Sequence, residues 1–278
     1  MALAAGVWGC GGDDDPAASQ TPSSGARFDP SDFGDPVARV NKWLPLKVGT
    51  QWVREGFTDV GTRRVPHRVI STVTEVSREV EGVRTVALFD QDVDGGQIVQ
   101  QSLDYLAGDK EGNVWYLGSY TEEYEGGEFV TATDAWLAGV KGAKPGILMQ
   151  ADPRTGTPPY FVAQPPGGQQ EVDVAQVVET GQSQCVPFKC YENVRVIREG
   201  KEAEPDNEFK YFAPGVGQIL NTPRKASKHQ DVEKLINLTQ LSPRGLAELS
   251  REALKLDRNA KVAAPDVFGD APTAKPTL

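Results

Sequence analysis

Residues 83–137 read VRTVALFDQDVDGGQIVQQSLDYLAGDKEGNVWYLGSYTEEYEGGEFVTATDAWL, and this stretch decides the fold. Runs rich in β-branched and aromatic residues occur at Val83 to Asp90, Gln97 to Ala107, Asn113 to Tyr124 and Glu128 to Leu137. Between them stand turn residues: Asp94-Gly95-Gly96, Asp109-Lys110-Glu111-Gly112 and Glu125-Gly126-Gly127. Gaps this short join antiparallel neighbours, because a parallel crossover takes a dozen or more residues. The meander extends backward through Glu81-Gly82 to a further run at Arg68 to Val80. Apolar residues fall on both parities within these strands. Val86 and Leu88 share a side with Arg84 and Asp90, while Val114, Tyr116 and Gly118 oppose Trp115 and Leu117. Such a sheet is covered on one face and curved around something on the other.

Past Leu137 the pattern loosens through a Gly- and Pro-rich stretch from Gly139 to Gly168. Strands are expected again at Glu171 to Gln184, Tyr191 to Glu199, Glu208 to Phe212, Gly217 to Asn221 and Lys234 to Thr239. A single helix closes the pattern: Ser242 is a good N-cap, Pro243 suits the first helical position, and Leu246, Leu249, Ala253 and Leu256 form one stripe. That stripe is expected to dock on the sheet. The fold class is therefore mainly β, an antiparallel meander forming a curved sheet or open barrel, with a C-terminal amphipathic helix. The chain divides into residues 1–9 as a signal-peptide remnant, 10–33 as a lipidated cysteine and disordered tether, 34–240 as the β domain, 241–260 as the helix and 261–278 as a disordered tail.

The N-terminus supplies an address. Val7-Trp8-Gly9-Cys10 resembles the lipobox of bacterial lipoproteins, with a bulky Trp8 between the apolar and small positions. The resemblance implies that Cys10 carries diacylglycerol and begins the mature chain. From Gly11 to about Phe33 the sequence is rich in Asp, Pro, Ser, Ala and Gly and suits a tether, since it cannot bury enough apolar surface to fold. Two or more acyl chains hold a protein at a membrane where one does not. Against 29 Lys and Arg stand 39 Asp and Glu, a net charge of -10 that disfavours nucleic acid and polybasic attachment to anionic lipid. The expected membrane contact is the lipid alone, at the cell membrane or outer membrane, with the domain on the extracytoplasmic or periplasmic side. Cys185 and Cys190, the other two cysteines, fit that compartment as a disulfide clamping a tight turn. With four residues between them and no His nearby they make a poor zinc set.

Three segments extend the resemblance over most of the chain. Trp43-Leu44-Pro45-Leu46-Lys47-Val48-Gly49-Thr50-Gln51-Trp52, Asp109 through Gly118, and Lys210-Tyr211-Phe212-Ala213-Pro214-Gly215-Val216-Gly217 are similar to landmarks of an uncharacterised β-rich bacterial lipoprotein family. That family implies no activity. A fainter fold-level likeness to the lipoprotein carriers of the bacterial envelope rests on strand order.

Candidate chemistry is sparse. Asp90-Gln91-Asp92-Val93-Asp94-Gly95 matches the opening of a calcium loop, but Gln101 stands where the bidentate Glu belongs, and a hairpin tip explains the same residues. Glu122, Glu123, Glu125 and Glu128 straddle another turn and read as a solvated strand end. His67 and His229 are the two histidines, and neither neighbours a nucleophile motif. No catalytic residue, metal ligand or cofactor is assigned, and the protein is expected not to be an enzyme; a hydrolase with an unrecognised acidic site is the lesser alternative. The expected function is binding of an apolar small molecule or lipid by a curved sheet lined with Trp115, Tyr116, Trp136 and Phe212, the alternative being a structural or interaction module that meets another envelope protein. The lipobox reading makes one prediction: replacing Cys10 by Ser abolishes labelling by radioactive palmitate and moves the protein out of the membrane fraction. Undiminished membrane association in that variant would overturn it.

Overall fold

The computed structural model describes residues 26–60, 62–167, 172–201, 208–223 and 232–276. Their strands run β1 (Thr50–Val60), β2 (Arg63–Val80), β3 (Val83–Asp94), β4 (Gln97–Gly108), β5 (Val114–Glu125), β6 (Glu128–Leu137), β7 (Lys144–Met149), β8 (Tyr160–Gln164), β9 (Asp173–Cys185), β10 (Cys190–Lys201), β11 (Glu208–Ala213), β12 (Gly217–Pro223) and β13 (Glu233–Gln240). The helices α1 (Pro243–Ala263) and α2 (Pro265–Phe268) and a short strand β14 (Lys275–Pro276) complete the chain order. The first five expected strands are found as β2 to β6. The loosened stretch after Leu137 supplies two more, β7 and β8, which its Gly and Pro content concealed.

All strand pairs are antiparallel, in the order β1-β13-β12-β11-β10-β9-β8-β7-β5-β4-β3-β2, and β1 pairs with β2 as well. That second pairing closes twelve strands into a barrel. β6 lies outside the ring order: it takes the edge of β5 from Gly118 to Glu125, while β7 takes the same edge from Val114 to Tyr116. Bulges at Tyr105/Leu106 and Thr121/Glu122 accompany this exchange of partners. At the tip between β9 and β10, Cys185 and Cys190 form the expected disulfide, with Cα atoms 3.9 Å apart.

Residues directly opposite across an antiparallel pair share a face, so register identifies the inner wall. Ser71 opposes Asp90, Asp90 opposes Ser102 and Ser102 opposes Thr121; on the far side Lys210 opposes Asn221 and Asn221 opposes Glu233. Toward the end holding the β2–β3 and β11–β12 turns the same wall is apolar. Trp52, Val73, Leu106, Phe212, Ile219 and Leu235 are buried there in the main core. Each such side chain contributes about 1.5–3 kcal/mol when withdrawn from water. Trp52 donates from Nε1 to the Val216 carbonyl at 2.6 Å, and its ring lies against Gly217, whose φ of +105° and missing Cβ permit the approach. The expected landmarks thus have a packing role.

The outer wall is covered in two places. α1 buries Ala253 and Leu256 of the expected stripe against the sheet, joined by Ala260, and carries Asp257 into the same interface. Arg78 from β2 meets Asp257 there, both side chains fully buried, and Tyr105 from β4 donates to the same carboxylate at 2.8 Å. The guanidinium also reaches the Pro272 carbonyl at 2.5 Å, and the Ala274 amide donates to Asp257 at 3.2 Å. These contacts fold a segment that composition assigns to a disordered tail: α1 runs to Ala263, α2 sets Phe268 against Tyr105 and Tyr120, and β14 pairs with β2.

The second cover is N-terminal. Phe28 and Phe33, at the end of the expected tether, pack on Trp115 at ring separations of 5.4 and 6.0 Å. Asp29 caps a turn of 3-10 helix between them. The chain from Ala26 onward is therefore part of the domain, while Cys10 lies outside the described residues. Removing one partner of a buried ion pair strands the other, at a cost of about 3–5 kcal/mol. Asp257→Ala is accordingly expected to lower the unfolding free energy by about that amount, whereas Arg78→Met with Asp257→Leu recovers much of it. Denaturant melts of the two variants check this, and equal losses would remove the pair from its structural role.

Candidate functional site

The tips of the β1–β2, β3–β4 and β5–β6 hairpins lie at the barrel end opposite the apolar floor, and the inner wall changes character on the way to them. Period-two alternation puts Asp90, Asp92 and Asp94 of β3 on the inner face, opposite Ser71, Val69 and His67 of β2. Asp104 on β4 faces the same space, opposite Ser119 of β5. Asp173 of β9, Glu199 of β10, and Glu208 and Lys210 of β11 line the other side, again by register. These groups act across the interior: Asp90 feels Lys210 and Glu233, and Asp173 feels Asp134 of β6, all on strands that are not neighbours. The calcium-loop pattern is thus a strand with three aspartates aimed into a lumen, not a loop wrapped around an ion.

Two cation-centred clusters organise this wall. In the first, His67 Nδ1 lies 2.6 Å from Asp94 and its Nε2 lies 3.8 Å from Glu233, which Arg54 Nε contacts at 3.2 Å; Arg54 also donates to Ser71 at 3.1 Å. Burial works against a charge on His67, but the carboxylates of Glu233 and Asp94 outweigh it and raise its pKa to about 9. Burial likewise opposes the Glu233 carboxylate, and His67 and Arg54 prevail, bringing it down to about 2. In the second cluster Lys210 Nζ sits between Glu199 at 2.6 Å and Glu208 at 3.0 Å, and Asn221 donates its amide to Glu208 at 2.6 Å.

The remaining aspartates are placed differently. Among the described residues no ion pair joins Asp90, Asp92 or Asp104 to a Lys, Arg or His, and Asp173 stands opposite Lys201. Burial, with Asp90 as the next contributor, raises Asp92 to about 7. Burial also raises Asp104 to about 7, although Tyr116 and Ser119 donate to it at 2.6 and 2.9 Å. Asp173 is raised to about 6 by burial and the nearby Glu199, and Asp90 is raised chiefly by burial. A cleft of about 480 Å³ opens onto this wall at the hairpin tips, lined by His67, Asp92, Asp94, Gln100 and Glu123 among others.

The aromatic residues that the sequence singles out do not form one pocket. Trp115 shares its face with Ala107 and Tyr105, the outer wall, where Phe28 and Phe33 cover it and its Nε1 donates to Asp109 at 2.8 Å. Tyr116 and Trp136 do meet, edge to face at 5.1 Å on the inner wall, and Trp136 packs with Ala143 and Ala163 in a small separate cluster. Phe212 is part of the floor. The lumen carboxylates were missed as a group, although the alternation of Asp90, Asp92 and Asp94 along one strand was a usable signal. Of the acidic turn residues, Glu122 is buried on the outer face with Tyr120 and Tyr124 bonded to it, while Glu123 lines the cleft. His229 lies outside the described residues. No group of three or more His, Cys, Asp or Glu among the described residues converges as a metal site.

No family model matches the chain, and no curated protein does. Three solved structures align with it at low identity. A candidate lipoprotein from Parabacteroides distasonis aligns at 14% identity and a TM-score of 0.38, over 72% of this chain and 99% of its own. A candidate exported protein with a YmcC-like fold from Bacteroides fragilis aligns at 11% and 0.37, over 72% and 99%. A β-barrel-like protein of the domain of unknown function DUF1849 from Brucella abortus aligns at 12% and 0.38, over 70% and 98%. These values carry no activity or ligand across to this chain.

The partly buried acids set a pH dependence. A carboxyl whose pKa is raised on folding binds a proton in the folded state that the unfolded chain has lost, so stability falls as pH rises from the ordinary carboxylate range through the folded pKa. For Asp92, Asp104 and Asp173 that window runs from about 4 to 7. His67 adds stability that is full below 6.5 and lost as pH rises through about 9; Glu233 adds stability lost as pH falls from 4.5 through about 2. Without added ligand the melting temperature is expected to be highest near pH 5 and lower by roughly 5 °C at pH 8. Calorimetry across this range checks it, with Asp92→Asn plus Asp104→Asn flattening the slope; an equally steep slope in that variant would discount the two aspartates.

Proposed function

We propose that this protein is a lipid-anchored barrel of the bacterial cell envelope that holds a small ligand in the outer half of its lumen. The observation that carries the reading is the inner wall itself: an apolar, packed floor beneath a charged upper half that opens to a cleft of about 480 Å³. A barrel needing only a core would fill its interior with apolar side chains throughout, since buried charge is costly unless it serves a purpose. Support for this location comes from the lipobox-like segment ending at Cys10 and from the Cys185–Cys190 disulfide, a bond that persists in oxidising compartments. His67 is held between two carboxylates and stays protonated at neutral pH, which denies it the role of general base. The wall facing the cleft is polar, so an apolar ligand suits it poorly.

A specific feature favours the second reading, docking of an apolar ligand or envelope protein on the outside. A groove of about 410 Å³ runs between α1 and the β5–β6 hairpin, lined in part by Tyr124, Leu256, Phe129 and Val262. Phe129 is 50% and Val262 83% exposed. Native mass spectrometry of the domain, released from its own envelope by cutting the tether, separates the readings. A co-purifying small molecule that Gln100→Trp removes and Phe129→Asp leaves in place supports the lumen; the reverse pattern moves the function to the groove.

A further inference from the structure

We propose that the upper lumen takes a small organic cation bearing amine or guanidinium groups. The inference rests on the lumen-binding reading and deepens it by naming the ligand's charge. Lys210 and the Arg54–His67 pair already serve Glu199, Glu208, Glu233 and Asp94. Asp90, Asp92 and Asp104 face the same interior without an ion pair to a cation among the described residues, Arg54 and His67 acting on the first two only from a distance, and Asp173 faces it opposite Lys201. These carboxylates are partly buried, and a cation from outside would favour their ionised form, because a charge in a lowered dielectric is disfavoured without a partner.

Other unsatisfied groups accompany them. The Tyr160 hydroxyl, on a residue 1% exposed, has no hydrogen-bond partner and sits in the field of Glu199 and Lys210. Asn221 Oδ1 is likewise unpartnered although its amide donates to Glu208, and so is Asp90 Oδ1. Buried polar atoms ordinarily find partners, and an unsatisfied acceptor costs about 1–3 kcal/mol. The unfilled capacity of the lumen is mainly for hydrogen-bond donors, at Asp90 and Asn221, with a hydroxyl available beside them. An ammonium brings three donors and a guanidinium five, together with the missing positive charge. The carboxylates are spread over β3, β4 and β9 instead of converging on a point, which suits an extended organic cation better than a metal ion. Glu123, beside Asp92 and Asp94 at the opening, lends the entrance the same sign of potential.

The test is calorimetric titration of the purified protein at pH 8 with 1,4-diaminobutane, sodium dodecanoate and calcium chloride as separate probes. The expected result is saturable binding of the diamine that weakens at least tenfold in Asp92→Asn plus Asp104→Asn. That variant removes buried charge without changing side-chain size, so it should melt higher than the parent, and its loss of binding would not reflect unfolding. Tyr160→Phe is expected to weaken the diamine about threefold to tenfold, the range for one hydrogen bond. Diamine binding that persists unchanged in the double aspartate variant overturns the proposal, as does calcium binding at the same aspartates with no response to the diamine. If the diamine fails while a neutral or anionic molecule co-purifies and is lost in Gln100→Trp, the charge assignment is wrong and lumen binding stands. If neither is seen, both fall.

Discussion

Closure of the sheet through β1, which pairs with β13 on one edge and β2 on the other, is the constraint on which the molecule depends. A closed sheet has one inside, and period-two alternation then sends every second residue of every strand into it. Side chains more than a hundred residues apart are brought into one small volume: Asp90 meets the field of Lys210, and Arg54 contacts Glu233 at 3.2 Å. In an open sheet the same carboxylates would face water at their ordinary pKa values. Closure buries them together, and the raised pKa values of Asp92 and Asp104 follow from that burial.

Support for the wall comes from outside and is only partly hydrophobic. α1 could have docked on aliphatic contacts alone, yet it carries Asp257 into the interface, where Arg78, Tyr105 and the Ala274 amide converge on it. Such a pair adds little net stability over an apolar replacement. It also fixes the segment C-terminal to the helix, since the Pro272 carbonyl and Ala274 amide are two of its partners. The N-terminal Phe28 and Phe33 do the equivalent for Trp115, and the donor of that indole is satisfied by Asp109 within the turn before β5.

Much of this architecture was legible. Asp94-Gly95-Gly96 and Glu125-Gly126-Gly127 form turns with both glycines at positive φ, so the hairpins they join could be read from turn chemistry alone. Ser242 caps α1 by accepting from the Gly245 amide at 3.2 Å, as a serine before a proline suggests. β7 and β8 were hidden because they are short, contain Pro145 and Gly146, and pair through only a few residues. The ligand candidates were legible only as aromatic residues. Trp115 and Trp136 read alike in sequence, yet one is covered outside the barrel and the other lies inside, because bulges at Tyr105/Leu106 and Thr121/Glu122 reset which parity faces in.

Local signals, acting over a few residues, determined from sequence alone that the chain is an antiparallel β meander, that an amphipathic helix follows its last long strand, and that Cys185 and Cys190 stand close enough to join. The tertiary structure alone decided that the meander closes, which face lies inside, and that the inside is charged. The reason is physical: strand propensity and turn geometry are set by neighbours in the chain, whereas burial, and with it the electrostatics of Asp90, Asp92, Asp104 and Asp173, is set by strands that meet only after the barrel has closed.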